Sequence, residues 1–546
     1  MSLNMYLAET DSQTSSSNTI HIDIIQSMEQ VMEAIDSFAG ATLLQGKTYN
    51  TAKTYMSAVF RPLAQGIIDL SEELIRQNSN YPNDFRSQVA TTDVIEDKVR
   101  MQIEKINDLI EKVEPVNEAL PVLNPIISIY QEMKRTLERK LEHLYEFNAA
   151  TSDNYDLALE LADNVLEGLN QVHNNNGFNS KDGTFSTEKM DLDWISKLNE
   201  SQSMIKARDK FPDYYEENKD FVEKDDDEKK ANMEKLIEVI EYDENNPDRA
   251  KDTDEFLTPL EEQDVVEIKY LMYTAEEPYR SLAMDYLDRF EVVKLTPKVR
   301  KEKDIDSNGV FRYSEDAIFV EMSKLRKDDR GNYYTFFHEI AHAFDYYYGQ
   351  DNRNVFQGIY EDVKEQFGNS TFFTDRYKID GRTLTDQMYG DAENNFRKEL
   401  AKELESTEYE VLNSDKKQKM IDNVTRNLME QNELAFTLSS EELELQKEIE
   451  RIYRYDLLED AEHNTASDVY GGVTNNTVRG RFWHEDYWFN DYGSRIKEPN
   501  REGFAEYFGR IIADDGIEKP GIQSINRYLP SSKKHMDEIF ELMGQE

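Results

Sequence analysis

His338-Glu339-Ile340-Ala341-His342 is the part of this 546-residue sequence whose residue types and spacing are best suited to chemistry. Two His four residues apart on a helix lie on one face about one turn apart, so both imidazoles can reach a single zinc ion. The Glu between them points beside them, towards water activated at such a site. Tyr333 to Phe337 on one side and Ala343-Phe344 on the other make the helix largely apolar, and a polar trio inside such a helix is costly unless it coordinates something. A catalytic zinc keeps three protein ligands, so a third must come from elsewhere in the chain. In Asn500 to Phe508, Glu502 and Glu506 share one face of a predicted helix whose other faces carry Phe504, Ala505 and Phe508. Glu502 is the expected third ligand, and Glu506 the carboxylate that accepts the far ring proton of a zinc-bound His.

The composition narrows what such a site can serve. Lys and Arg total 64 against 111 Asp and Glu, a formal charge of -47, which repels phosphate backbones and anionic lipid headgroups and excludes nucleic acid and membrane surfaces as expected partners. Cys is absent, so disulfides, Cys-ligated zinc and thiol catalysis are excluded and any metal site must use His and carboxylates. Met1 to Thr19 is polar and Ser-rich, without the basic patch and apolar run of a signal peptide, and no later stretch has the length of a membrane span. A protein of this kind leaves its cell, if it does, by a signal-peptide-independent route.

The elements that must position the site divide by pattern. From Ile20 to about Asn170 apolar residues recur at spacings of three and four, as in Ile24, Met28, Val31, Ile35, Phe38, then Val59, Leu63, Ile67, Leu70, Leu74, then Val99, Ile103, Ile106, Ile110, Val113. That period predicts an elongated helical bundle with little concave surface, its helices broken or started by Pro62, Pro82, Pro115, Pro121 and Pro125. The acidic stretch from Asp213 to Asp264, with Asp225-Asp226-Asp227 and Asn245-Asn246-Pro247, reads as a linker that is helical near Met233 to Ile240. From Val265 aromatic content rises and strand-like segments appear at Phe290 to Leu295 and Gly309 to Met322. The expected architecture is therefore mostly α: a helical bundle over 1–205, an acidic linker over 206–262 and an α+β domain over 263–546. Ala317 to Met322, just before the active-site helix, is the expected edge strand on which an extended peptide could add a strand.

The runs His338-Glu-Ile-Ala-His-Ala-Phe-Asp345 and Tyr492-Gly493, followed by Glu502-Gly-Phe-Ala-Glu-Tyr-Phe508, resemble the catalytic domain of anthrax lethal factor and related gluzincin peptidases. The resemblance implies a zincin-like metallopeptidase fold with His338, His342 and Glu502 on Zn2+, Glu339 as base, and Glu506 and Asp345 as supporting carboxylates. It also implies a Tyr that stabilises the developing oxyanion, carried over onto Tyr492. Here the stretch between the motifs is much longer than in the family, and Tyr492 lies three residues further from the Glu. Ala466 to Asn476 and Trp483-His484-Glu485-Asp486-Tyr487-Trp488 resemble segments of zincin-type domains in phage-derived and toxin proteins. His484, Tyr487 and Tyr492 are thus rival candidates for the oxyanion partner.

Leu43-Leu44-Gln45-Gly46-Lys47 to Tyr55, with Arg61-Pro62-Leu63, resembles the LXG domain, named for the Leu-x-Gly that here is Leu44-Gln45-Gly46. LXG domains are N-terminal targeting modules of polymorphic toxins exported by type VII secretion, so the resemblance implies small helical WXG-like partner proteins, an immunity protein and a secreted product. The resulting expectation is a secreted toxin that cleaves a protein or peptide by zinc-dependent endopeptidase chemistry. Two rival readings use the same residues. In one the zincin fold is a binding or structural module without turnover, against which the complete set of ligands and base argues. In the other the chain is a housekeeping peptidase whose helical half is an oligomerisation arm.

Overall fold

The structure is a computed structural model that describes all residues except 1, 120–123, 175–176, 220, 222–225, 329, 353–370, 406–408, 410, 430–437, 460–464, 475–476, 479–487, 489–497, 514–519 and 546. The described residues are mostly α-helical. Contacts divide the chain into two compact units, Met1–Asp209 and Lys210–Glu546.

In the first unit, α1 (Leu7–Gly40) and α3 (Arg61–Gln88) run antiparallel. Their seam carries polar pairs in matching register, Asp11 with Arg86, Thr14 with Asn78, and Asp36 with Arg61. Between them α2 (Lys47–Tyr55) feeds α3 through a π turn at Met56–Phe60. Gly46 of the Leu-x-Gly precedes α2 with φ 110°, a backbone conformation that favours glycine. The remaining helices are α4 (Glu96–Ala119), α5 (Asn124–Ala150), α6 (Asp156–Asn174) and α7 (Asp193–Lys210).

Two apolar cores hold this unit. One gathers Met5, Leu7, Phe85, Val99, Leu144 and Phe147, the other Val59, Leu63, Leu161, Val165, Trp194 and Leu198. Of α1 only Leu7 and Ile35 are buried, so most of its three-and-four periodic positions are not core. Pro62 starts α3 and Pro125 lies in the first turn of α5, as expected. Pro82 and Pro115 instead lie inside α3 and α4. An interior Pro removes one helical N–H, and burial of its ring and of neighbouring Phe85 offsets that loss at Pro82. Pro121 lies outside the described residues.

The second unit begins with the acidic stretch, whose described residues from Asp226 onward are folded rather than a solvated linker. It forms α8 (Asp227–Asn245) and α9 (Pro247–Leu257), which bury Met233, Leu236, Val239, Ile240, Phe256 and Leu257. The acidic residues mostly occupy the outer faces, and the buried Asp243 pairs with the fully buried Lys269 of α10 (Glu262–Thr274) at 2.7 Å. A buried charge is tolerable when paired in this way.

Three strands follow: β1 (Glu291–Lys294), β2 (Gly309–Arg312) and β3 (Ala317–Val320), in spatial order β1-β3-β2. β1 pairs parallel and β2 antiparallel with β3. The expected edge strand is therefore corrected: Ala317–Val320 is central and buried at every residue, and the edge towards the motif helix is β2. Ala-Ile-Phe-Val is an unbroken apolar run, the pattern of a strand covered on both faces.

The motif helix is α11 (Tyr334–Asp351); α13 (Pro499–Ala513) packs along it, and α12 (Leu384–Glu403) packs against α13 and α14 (Pro530–Met543). Phe336, Phe337 and Phe344 of α11 are fully buried, each contributing about 1.5–3 kcal/mol by burial. Phe344 meets Phe508 of α13 edge-to-face at 4.8 Å between ring centroids. Gly509 of α13 lets the two backbones close up, since a Cβ there would sit 3.0 Å from the Tyr334 ring and 3.3 Å from the His338 nitrogen.

Candidate metal centre

α11 has no side-chain N-cap. Its start is fixed from outside: Tyr333, at φ 59°, donates its N–H to the Leu325 carbonyl and its hydroxyl to Asp264, which is fully buried and paired with Arg326. One turn on, His338 and Glu339 are buried, and His342 is partly so. α13 crosses beside them. Its residues Glu502, Glu506 and Gly509 recur at spacings of four and three, one helical face, and Glu502 and Glu506 are both buried.

The side chains converge. His338 Nε2 and His342 Nε2 are 3.2 Å apart, and the Glu502 carboxylate lies 3.7 Å from the first and 3.9 Å from the second. A tetrahedral ion bound at about 2.0–2.1 Å separates its ligand atoms by about 3.3 Å. The His–His separation matches such an ion, and the two His–Glu separations exceed it by about 0.4 and 0.6 Å, a gap that a small movement of the Glu502 side chain closes. Among the described residues, His338, His342 and Glu502 form the group able to hold a metal ion, with ligand atoms all within 4.8 Å of one another. Two imidazoles and a carboxylate suit a divalent transition metal.

Behind the triad, Glu506 Oε1 lies 3.8 Å from His338 Nδ1, the nitrogen turned away from the convergence point, and the Tyr334 hydroxyl lies 3.5 Å from the same atom. Both separations exceed ordinary hydrogen-bond length, and Glu506 stands where a carboxylate could accept the Nδ1 proton of a ligating imidazole on a small approach. Burial pushes the Glu506 carboxyl above its ordinary range, while Arg330, Arg510 and Tyr334 oppose that shift and Glu502 adds to it. Arg330 lies 3.6 Å from Glu506 and over the Tyr334 ring, with Arg510 over the same ring.

Glu339 faces the sheet edge. The Phe311 N–H of β2 donates to its Oε2 at 2.7 Å, and Gly309 comes so close that a Cβ would sit 3.3 Å from Glu339 Cγ. The putting together of base and edge strand was not legible in sequence, because the two are 28 residues apart and joined only through sheet order.

The structure therefore brings together His338, Glu339, His342, Glu502 and Glu506. It uses Asp345 differently from the expectation: this fully buried carboxylate accepts the N–H and the hydroxyl of Thr374, at 2.9 and 2.6 Å. Thr374 meets it because residues 371–376 lie along the C-terminal half of α11. Burial pushes the Asp345 carboxyl up to about 7, against the Thr374 hydrogen bonds. Tyr492, Tyr487 and His484 lie outside the described residues. Sequence reasoning missed Arg330, Arg510 and Tyr334. The last lies four residues before His338 on the same face, so helical spacing alone could have found it.

No helix among the described residues is long and apolar enough to cross a membrane. No protein-family profile matches the chain, and no solved structure matches it. A curated Bacillus cereus protein named Toxin is 46% identical to the chain over 200 residues. The matched stretch is 36% of this chain and 37% of that relative, so the chain spans little more than a third of the curated relative it matches.

Proposed function

We propose that the second unit is a zinc-dependent endopeptidase and that the chain is a secreted toxin. The observation that carries the reading is the convergence of His338, His342 and Glu502 with Glu339 beside them. A zinc ion held by these three side chains would supply the Lewis acidity for attack of water on a peptide carbonyl. Glu339 takes the proton from that water and returns it to the leaving amine. The Phe311 N–H holds one Glu339 oxygen, so the carboxylate is oriented before substrate arrives. Glu506, with Tyr334 beside it, would orient the His338 ring by approaching Nδ1 when the imidazole ligates. β2 is an edge strand lying directly beside Glu339, and an extended peptide that pairs with it would compete with the carboxylate for the outward Phe311 N–H.

The Bacillus cereus relative named Toxin supports the toxin reading. On this reading the first unit is the LXG-like targeting module for type VII secretion. A groove of about 660 Å3 between α4 and α5, lined by Ile106, Ile129, Met133 and Leu137, suits a small helical partner, and an immunity protein would guard the producer.

Expression of wild type and Glu339→Gln in each compartment of a test cell, with zinc measured per chain, tests the proposal. Growth arrest by the wild type alone, with one zinc per chain in both proteins, is the expected result. Equal toxicity of the two, or zinc binding without any proteolysis, would overturn it.

A further inference from the structure

The metal site draws its ligands from two helices, His338 and His342 from α11 and Glu502 from α13. Apolar packing of the kind between Phe344 and Phe508 holds two helices together, yet it is non-directional and leaves rotation about their axes weakly specified. A carboxylate ligand has to be placed within about half an ångström to bind well. Directional contacts between the helices are needed, and they occur just outside the ligand triad.

Residues 371–376 lie between the helices. Thr374 donates both its N–H and its hydroxyl to Asp345, three residues after His342 on α11. The same Thr374 oxygen accepts from Asn500 Nδ2 at 3.3 Å. Asp375 accepts from Asn500 Nδ2 at 2.7 Å and from Arg501 Nε at 3.0 Å. Asn500 and Arg501 immediately precede Glu502 in the first turn of α13. Asn500 Oδ1 is occupied in turn by the Thr385 hydroxyl of α12 at 2.9 Å.

Asp345, Thr374, Asp375 and Asn500 are all at most 3% exposed. Hydrogen bonds of this kind act in low dielectric and favour one geometry strongly. Two further contacts seat the segment: the Arg501 guanidinium lies over the Phe372 ring at 4.0 Å, and a Cβ on Gly349 of α11 would clash with the Thr371 carbonyl oxygen at 2.1 Å. Only glycine allows the segment to lie this close to α11.

We infer that Thr374 and Asp375 are positioning residues for the metal site, coupling α11 to the first turn of α13 so that Glu502 meets His338 and His342. This rests on the metal-binding reading above. The residues touch neither the ion nor the substrate and act through Asp345, Asn500 and Arg501. Their removal therefore lowers metal affinity beyond what loss of stability explains.

The experiment measures zinc affinity by competition with a chromophoric chelator, the cobalt(II) absorption spectrum, and thermal stability in chelator, all on the full chain. Thr374→Val is expected to weaken zinc binding about 10–100-fold and to change the cobalt bands, with Thr374→Ser restoring both. Asp375→Asn, which keeps its shape and its acceptor, is expected to weaken zinc binding in the same direction and covers the case in which Thr374→Val does not fold. Ser532→Ala is the control, since it removes a comparable buried hydrogen bond to Asp391 at 2.8 Å at the start of α14. It should lower thermal stability and leave zinc affinity unchanged. Wild-type affinity in Thr374→Val and Asp375→Asn, or an equal loss in Ser532→Ala, would overturn the inference alone. A wild type that takes up no zinc would overturn it together with the metal-site reading.

Discussion

The backbone N–H of Phe311 donates to Glu339 Oε2 at 2.7 Å, so the edge strand and the base of the motif helix are one hydrogen-bonded unit. Phe311 lies opposite Ile318 in the β2–β3 pairing. In an antiparallel ladder alternate residues direct their N–H and C=O outward, and at Phe311 the outward N–H is taken by the carboxylate. Glu339→Gln retains an acceptor for that N–H. Its expected phenotype is a cleavage rate lower by about 10²–10⁴, with unchanged metal content and thermal midpoint, read from peptide cleavage, metal analysis and a melting curve.

The same closeness makes Gly309 sensitive. An Ala Cβ would lie 2.5 Å from Thr335 Cγ2, and Thr335 cannot turn away easily because its hydroxyl is bonded to Asp328 and Arg330. Gly309→Ala is expected to push β2 off α11, lowering stability by about 1–3 kcal/mol and slowing cleavage. Denaturant unfolding and peptide cleavage check both effects.

Metal bound between α11 and α13 should stabilise the second unit. An ion at about 1,000 times its dissociation constant adds about 4 kcal/mol, so a chelator is expected to lower the melting temperature of the wild type. His342→Ala removes a ligand from the triad and should make the melting temperature nearly indifferent to chelator. Calorimetry with and without chelator compares the two.

Arg330 serves two carboxylates, the partly buried Asp328 at 3.1 Å and the buried Glu506 at 3.6 Å. Arg330→Met leaves Asp328 without its cation and Glu506 with Arg510 alone, and is expected to destabilise by about 1–3 kcal/mol. Equilibrium unfolding should show that loss. Restoration by Lys should be incomplete, because one ammonium cannot span the positions of a planar guanidinium.

Asp345 gives a pH dependence with a definite sign. Its carboxyl is raised from the ordinary 3.8 to about 7, so the folded chain holds a proton that the unfolded chain has released. The resulting stability is fully present below about pH 4 and is lost as pH rises through 7. Asp345→Asn keeps an acceptor for the Thr374 N–H and does not titrate, although its amide presents a donor where the carboxylate accepts the Thr374 hydroxyl. The variant's stability should therefore fall less than that of the wild type between pH 4 and 7, measured by urea unfolding across that range.

The helical spacing in His338 to His342, and again in Glu502 to Glu506, determined which side chains share a face, because 3.6 residues per turn is a local property of the backbone. Burial of α11 and α13 was legible for the same reason, as was strand character between Gly309 and Met322, though not the turn that divides it into β2 and β3. Sheet order was not legible. β3 reads as an equally good edge until β1 is seen on its other side, and that pairing joins residues 26 apart. Likewise the acidic stretch looked solvated because charge is counted along the chain, whereas burial depends on which face of α8 and α9 meets the rest of the unit. Asp345 shows the same limit on a single residue. Its place after the motif suggested support for a ligand, but tertiary structure set Thr374 against it and made it the anchor of a segment that reaches the helix of Glu502. Contacts between distant residues are decided by packing geometry, and no local period encodes it.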